Sequence, residues 1–180
     1  MFNYNIDAEV KQLIDKHPEL WIKQNHKKGD LLNKIGRFAT RNYYLETGII
    51  KASIDNEDIG KEVIIGFISD AESILVYKSE KLNMPFLLNL EVINDAVIYS
   101  IGGEDWNELI EKNRIFNELF QQYTIRMVSK FIEQARINSY PRAKTRYEKS
   151  LENYPCLAKI KDEYVASFLG LDVRTISRVK

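Results

Sequence analysis

The C-terminal stretch Asp162-Glu163-Tyr164-Val165-Ala166-Ser167-Phe168-Leu169-Gly170-Leu171-Asp172-Val173-Arg174-Thr175-Ile176-Ser177-Arg178-Val179-Lys180 decides how the rest of the chain is read. Its apolar residues fall at Val165, Leu169, Leu171, Ile176 and Val179, with the small Ala166 and Gly170 between them. That spacing predicts two short helices joined by a tight turn. The first helix supplies Val165 and Leu169 to a core, and Ala166 is small enough for the second helix to cross close by. Gly170 can take the positive φ that ends a helix abruptly. Asp172 then caps the second helix, its carboxylate accepting a backbone N–H. Ile176 and Val179 turn inward, which leaves Val173, Arg174, Ser177, Arg178 and Lys180 outside.

Such an outward face suits double-stranded DNA. Arginine grips guanine O6 and N7 with two hydrogen bonds, each such pair worth ~1–3 kcal/mol of discrimination. Serine and lysine suit phosphates or base edges. The candidate DNA contacts are therefore Val173, Arg174, Thr175, Ser177, Arg178 and Lys180. The plainer alternative is an αα-hairpin with a basic, solvated face.

Charge supports the first reading. The 180 residues carry 26 basic and 26 acidic side chains, yet residues 1–103 hold 12 basic against 15 acidic and residues 136–180 hold 10 against 5. An acidic body with a basic tail suggests a polyanion partner for the tail. Arg142, Lys144, Arg146, Lys159 and Lys161 are the candidate phosphate contacts. Helical segments are expected near 142–153 and 157–168, after a break at Pro141.

Further upstream, Phe116, Leu119, Phe120, Tyr123, Met127, Val128, Phe131, Ile132 and Ala135 step largely by three and four residues. They predict a helix near 114–138 with one broad apolar face, which packs on the preceding domain or pairs with a second copy of itself. A short helix around Trp106, Leu109 and Ile110 precedes it.

Between Asp30 and Gly102 the periodicity changes. DLLNKI, NYYLE, GIIKASI, EVIIGFI, FLLNLEVI and AVIYSI are rich in β-branched and aromatic residues, punctuated by Gly36, Gly48, Asp70 and Asn94-Asp95. Six or more strands without intervening helices predict an antiparallel sandwich or roll. The hairpin tip is placed at residues 55–60. Residues 7–25 read as a helix kinked at Pro18.

Taken together, these segments resemble the Crp/Fnr family of bacterial transcription regulators. Ser177 and Arg178 match two of the three DNA-reading positions of that family's recognition helix, while Arg174 stands where the family usually has glutamate. Glutamate accepts from cytosine N4 and arginine donates to guanine, so the family's target sequence does not transfer. Gly36, Ala39, Tyr43-Tyr44-Leu45 and Gly48 match the family's β-roll spacing; Asn33, Arg37 and Asn42 depart from it. The resemblance implies an α+β fold in three parts. Residues 1–103 form an antiparallel, jelly-roll-like β-roll similar to a cyclic-nucleotide-binding domain, with an N-terminal helix. Residues 104–138 form a linker and dimerisation helix, and residues 139–180 a helix-turn-helix DNA-binding domain. It also implies a homodimer paired through the helix near 114–138, a contact with RNA polymerase and a cytoplasmic location. Members of the family continue past this point, sometimes into a β-hairpin wing, whereas here the recognition helix has barely two turns before Lys180.

Within that family, cyclic-AMP binders hold the ribose with a Gly-Glu pair and the phosphate with an Arg-Ser/Thr-Ala segment. Alignment places Leu75-Val76 and Phe86-Leu87-Leu88 at those sites, with Lys78 and Lys81 the nearest cations. A flexible lysine does not reproduce a bidentate phosphate clamp. Control by cyclic AMP is therefore not expected. Leu75, Val76, Phe86 and Leu88 read either as plain core or as the lining of a pocket for an apolar or unfamiliar effector. The alternatives are a small-molecule, cyclic-nucleotide-like sensor module with a protein-interaction tail and a cupin-like metalloenzyme on a similar β scaffold, for which the strands lack the histidine cluster.

No cofactor, metal or catalytic constellation is expected. The chain has one cysteine and two histidines, and it lacks a Gly-rich phosphate loop, GxSxG and HExxH. His17 and His26 read as surface residues. Cys156, after Pro155, reads as a redox-sensitive thiolate at a helix start or as a packed thiol. Glu57-Asp58 and Glu104-Asp105 are placed in solvated turns. No apolar run reaches the ~18–20 residues of a membrane span.

Overall fold

The computed structural model describes residues 5–58, 60–75, 84–112 and 114–180, with the side chains of residues 114–117 and 119 outside the description. Helix α1 (Ile6–Lys16) buries Ile6, Val10, Leu13 and Ile14, and its first turn is capped by the Asn5 side chain. The helix does not run to residue 25 as the sequence suggests. Pro18 starts a single 3-10 turn (Pro18–Leu20), and Trp21 is anchored edge-on against Trp106 at 6.3 Å. Residues Ile22–His26 then form strand β1, whose backbone pairs with residues 96–100. A distant strand offers these residues hydrogen bonds that a proline-broken helix cannot.

The remaining strands are β2 (Leu31–Asn33), β3 (Arg41–Asn56), β4 (Lys61–Ile68), β5 (Glu72–Ile74) and β6 (Asn89–Gly102). All pairings are antiparallel, in the order β1-β6-β3-β4, with β2 joined to β6 and β5 to β3. The breaks expected at Gly48 and Asn94-Asp95 are not turns. They are irregularities in two long continuous strands, which bend there and fold the sheet into a roll. Gly48 sits at φ 121°, and a Cβ on it would lie 2.5 Å from the Ala96 Cβ, so the close approach of β3 and β6 requires glycine. Leu45, Ile50, Leu90, Val92 and Ile98 fill the interior of the roll. In the hairpin tip expected at residues 55–60, Ile59 lies outside the described residues.

Helix α2 (Gly103–Glu111) buries Trp106 and Ile110. Glu104 and Asp105 occupy its first turn, not a loop, where the helix dipole favours negative charge. Helix α3 (Arg114–Asn138) has two apolar faces where the sequence suggests one. Phe120, Tyr123 and Met127 pack against α1 and α2, whereas Ile125, Val128, Phe131 and Ile132 are exposed. Phe116 and Leu119 fall among the side chains outside the description.

Three helices close the chain: α4 (Ala143–Asn153), α5 (Asp162–Leu169) and α6 (Val173–Val179). The helix expected at 157–168 is split into a 3-10 turn, Pro155–Ala158, and α5, because Lys161 is extended ahead of α5. Among the described residues no helix is long and apolar enough to cross a membrane.

Candidate nucleic-acid interface

Helices α5 and α6 meet in the turn that their sequence calls for. Gly170 adopts φ 61°, ψ 43°, and the Leu171 N–H donates to the Ala166 carbonyl at 3.0 Å, closing α5. Asp172 caps α6 by accepting the Arg174 N–H at 2.8 Å. Val165, Leu169 and Ile176 are fully buried, and Ala166 nearly so. The inner side of α6 is thus fixed by Ile176, and Val173, Arg174, Ser177, Arg178 and Lys180 are exposed. Thr175 is half-buried.

The exposed residues differ in what they are free to do. Ser177 Oγ donates to Asp162 Oδ2 at 2.9 Å, and Lys180 Nζ reaches Asp162 Oδ1 at 3.0 Å and the Ile160 carbonyl at 2.7 Å. Hydrogen bonds from Lys180 and then Ser177 hold the Asp162 carboxyl below its usual range. Asp162, which sequence reasoning missed, pins the end of α6 to the start of α5. Arg174 and Arg178, one helical turn apart, make no ion pair among the described residues.

The basic candidates around the pair divide in the same way. Arg142, Lys159 and Lys161 are exposed, and Lys144 lies 3.8 Å from Glu148. Arg146 is turned inward instead. Its Nε donates to the Tyr140 carbonyl at 2.6 Å and a terminal nitrogen to the Leu169 carbonyl at 3.3 Å. Its donors satisfy the Tyr140 carbonyl in the connection between α3 and α4 and the Leu169 carbonyl at the end of α5.

The helical unit is docked on the outer face of the roll. Phe67 of β4 meets Phe168 edge-on at 5.3 Å, and Tyr154 meets Phe168 at 5.0 Å. The Ile64 N–H donates to Ser167 Oγ at 3.1 Å, and Lys51 Nζ sits 5.4 Å from the Tyr164 ring centre. Cys156 is buried in this cluster, and desolvation pushes its thiol up to about 11. The residue is a packed thiol, not an activated thiolate.

Leu75, Phe86 and Leu88, three of the four pocket candidates, line a cavity of about 290 Å³ between the roll and α3. Val76, the fourth, lies outside the described residues, as do Lys78 and Lys81. Among the described residues, no three potential metal ligands converge.

No family model matches the chain, and no curated protein matches it. Solved structures do. FixK2 from Bradyrhizobium japonicum superposes with a TM-score of 0.77 at 14% identity, covering 88% of this chain and 82% of that one. CooA from Carboxydothermus hydrogenoformans, in a mutant form, gives 0.72 at 11%, covering 99% and 84%. A protein from Eubacterium rectale assigned to the Crp/Fnr family of transcriptional regulators gives 0.70 at 18%, covering 98% and 82%. At these identities the likeness is one of fold: the chain has the α+β architecture of Crp/Fnr regulators.

Proposed function

We propose that this protein is a DNA-binding transcription regulator of the Crp/Fnr type, acting as a homodimer in the cytoplasm, with no catalytic step of its own. The observation that carries this reading is the pairing of Arg174 and Arg178 on the open side of α6, a helix held from behind by Ile176. A major groove admits a helix of this kind, and two arginines one turn apart can each take a guanine. Arg142, Lys144, Lys159 and Lys161 supply the sequence-independent attraction to phosphates. On meeting DNA, Ser177 and Lys180 exchange their bonds to Asp162 for phosphate or base contacts, and Val173 and Thr175 sit beside the bases. A contact with RNA polymerase belongs to the same reading.

Dimerisation rests on α3. Ile125, Val128, Ile132 and Ala135 are exposed and spaced by three, four and three residues, the seam of a two-stranded coiled coil. Pairing there sets two copies of α6 toward half-sites about 34 Å apart. Cyclic AMP is not the controlling ligand, because the two described cations lining the cavity, Arg126 and Lys130, are bound to Asp7 and Glu72.

The test is an Arg174→Ala, Arg178→Ala double variant measured against a DNA site selected from a random pool. Each guanine contact is worth ~1–3 kcal/mol, so losing both lowers affinity at least about tenfold. Unchanged affinity together with an unchanged salt slope overturns the assignment.

A further inference from the structure

Proteins hold a backbone phosphate with hydroxyls, ammonium groups and the N-termini of helices. All three converge where the last turn of α6 meets the start of α5. Ser177 brings a hydroxyl and Lys180 an ammonium group, and both reach Asp162, the first residue of α5. The N-terminus of a helix favours negative charge. Lys161, which is exposed, directly precedes it in the chain.

That position already holds an anion, and the anion belongs to the chain. The Asp162 carboxylate accepts from Ser177 Oγ at 2.9 Å through one oxygen and pairs with Lys180 Nζ at 3.0 Å through the other. A further Lys180 N–H goes to the Ile160 carbonyl at 2.7 Å, so two of the three donors of that ammonium group are taken. The Lys180 side chain is 21% exposed, held against the start of α5 instead of extended into solvent. Its hydrogen bond and that of Ser177 keep the Asp162 carboxyl below its usual range, so it is ionised at neutral pH. Arg174 and Arg178 are open on the same face, whereas the donors suited to phosphate are matched within the protein. A carboxylate and a phosphate oxygen compete for the same donors, and two anions side by side repel.

We propose that Asp162 occupies, from within the chain, a phosphate-binding position on the DNA face of the helical pair, so that a DNA backbone phosphate enters only by displacing this carboxylate. The proposal rests on α6 being the DNA-facing helix. It makes Asp162 a brake on affinity and not a reader of sequence, because phosphates carry no base identity.

Fluorescence anisotropy on the full chain, with a selected duplex and a scrambled one of equal length, compares the wild type with Asp162→Asn. The substitution keeps the shape of the side chain and removes its charge. Two such contacts are released in a dimer, so affinity for both duplexes is expected to rise at least about threefold. The slope of log affinity against log salt concentration should steepen by up to about 2. The gain should shrink by at least about half in a Ser177→Ala, Lys180→Ala background, which a purely structural role of Asp162 does not produce. A wild-type chain that binds neither duplex at low salt overturns the DNA reading of α6 and this proposal with it. A wild-type chain that binds, beside an Asp162→Asn protein that binds no tighter or with the same slope, overturns this proposal alone. So does a gain undiminished in the Ser177→Ala, Lys180→Ala background. If the variant does not fold, the wild-type protein decides by carbon-13 NMR. The Asp162 carboxyl resonance is expected to move when the scrambled duplex is added, and a resonance that stays in place refutes the displacement.

Discussion

Asp7 and Arg126 stand 119 residues apart in the chain and 2.6 Å apart in space. Asp7 also accepts the Ser73 N–H, so one carboxylate joins α1, β5 and α3. Arg126 is held protonated: burial opposes its charge, but the hydrogen bond and charge of Asp7 outweigh it. Asp7→Ala removes the acceptor and leaves a partly buried guanidinium and a strand N–H without partners. Breaking a fully buried pair costs about 3–5 kcal/mol. The Arg126 side chain is 34% exposed, so roughly 2 kcal/mol is expected, a fall in Tm of about 4–8 °C. Thermal denaturation followed by circular dichroism measures it; an unchanged Tm would mean the pair holds nothing together.

A second expectation concerns salt. Each phosphate contact contributes about 0.9 to the slope of log affinity against log salt concentration. Lys159→Ala with Lys161→Ala removes up to four such contacts in a dimer, and the slope should fall by as much as about 4. Sequence preference should stay as it was, because phosphates carry no base identity. Titrations at several salt concentrations, on selected and scrambled DNA, separate the two effects.

The α3 seam can be probed without disturbing the core. Ile132 is 65% exposed in the single chain, so Ile132→Asp should leave the fold and its helical spectrum intact. In a paired seam it would set two carboxylates against each other in apolar surroundings. Sedimentation velocity should report a dimer for the wild-type chain and a monomer for the variant. A wild-type chain that sediments as a monomer excludes the seam.

Cys156 gives a pH-dependent outcome. Its thiol is raised to about 11 against an ordinary value of ~8.5, so the folded state holds the proton more tightly than the unfolded state. The stability this contributes is complete below about pH 8.5 and is lost as pH rises toward the folded value. Labelling with an aromatic disulfide at pH 8 should be slow in the native protein and fast in denaturant. Rapid native labelling would show an accessible thiolate.

Two glycines should respond differently to alanine. Gly170 has φ 61°, and a Cβ added there would meet nothing within 4 Å, so only the left-handed backbone strain of ~1–2 kcal/mol applies. Gly48 adds a collision with Ala96 to its own positive φ. Gly48→Ala should therefore cost more than Gly170→Ala, by at least about 1–3 kcal/mol of overpacking. Urea midpoints compared at equal m-value test the order.

The helix-turn-helix could be read from the chain because everything that makes it lies within nineteen residues. The i, i+4 spacing of Val165 and Leu169, a glycine able to turn left-handed and an aspartate able to cap are all local requirements. The strand composition of residues 30–102 was legible for the same reason. Ile125 could have been found too, since it continues the spacing of Val128, Ile132 and Ala135.

Other features answer to partners that local spacing does not reveal. Ile22–His26 is a strand because β6, some 75 residues later, supplies its hydrogen bonds. Gly48 and Asn94-Asp95 look like turns in one dimension, and only the pairing of β3 with β6 makes them bends in unbroken strands. Nothing near Arg146 announces that its donors go to Tyr140 and Leu169, or near Arg126 that Asp7 claims it. Periodicity sets which residues can share a face. Contacts between elements brought together by folding settle which face is buried, which charges are already matched, and where a cavity is left.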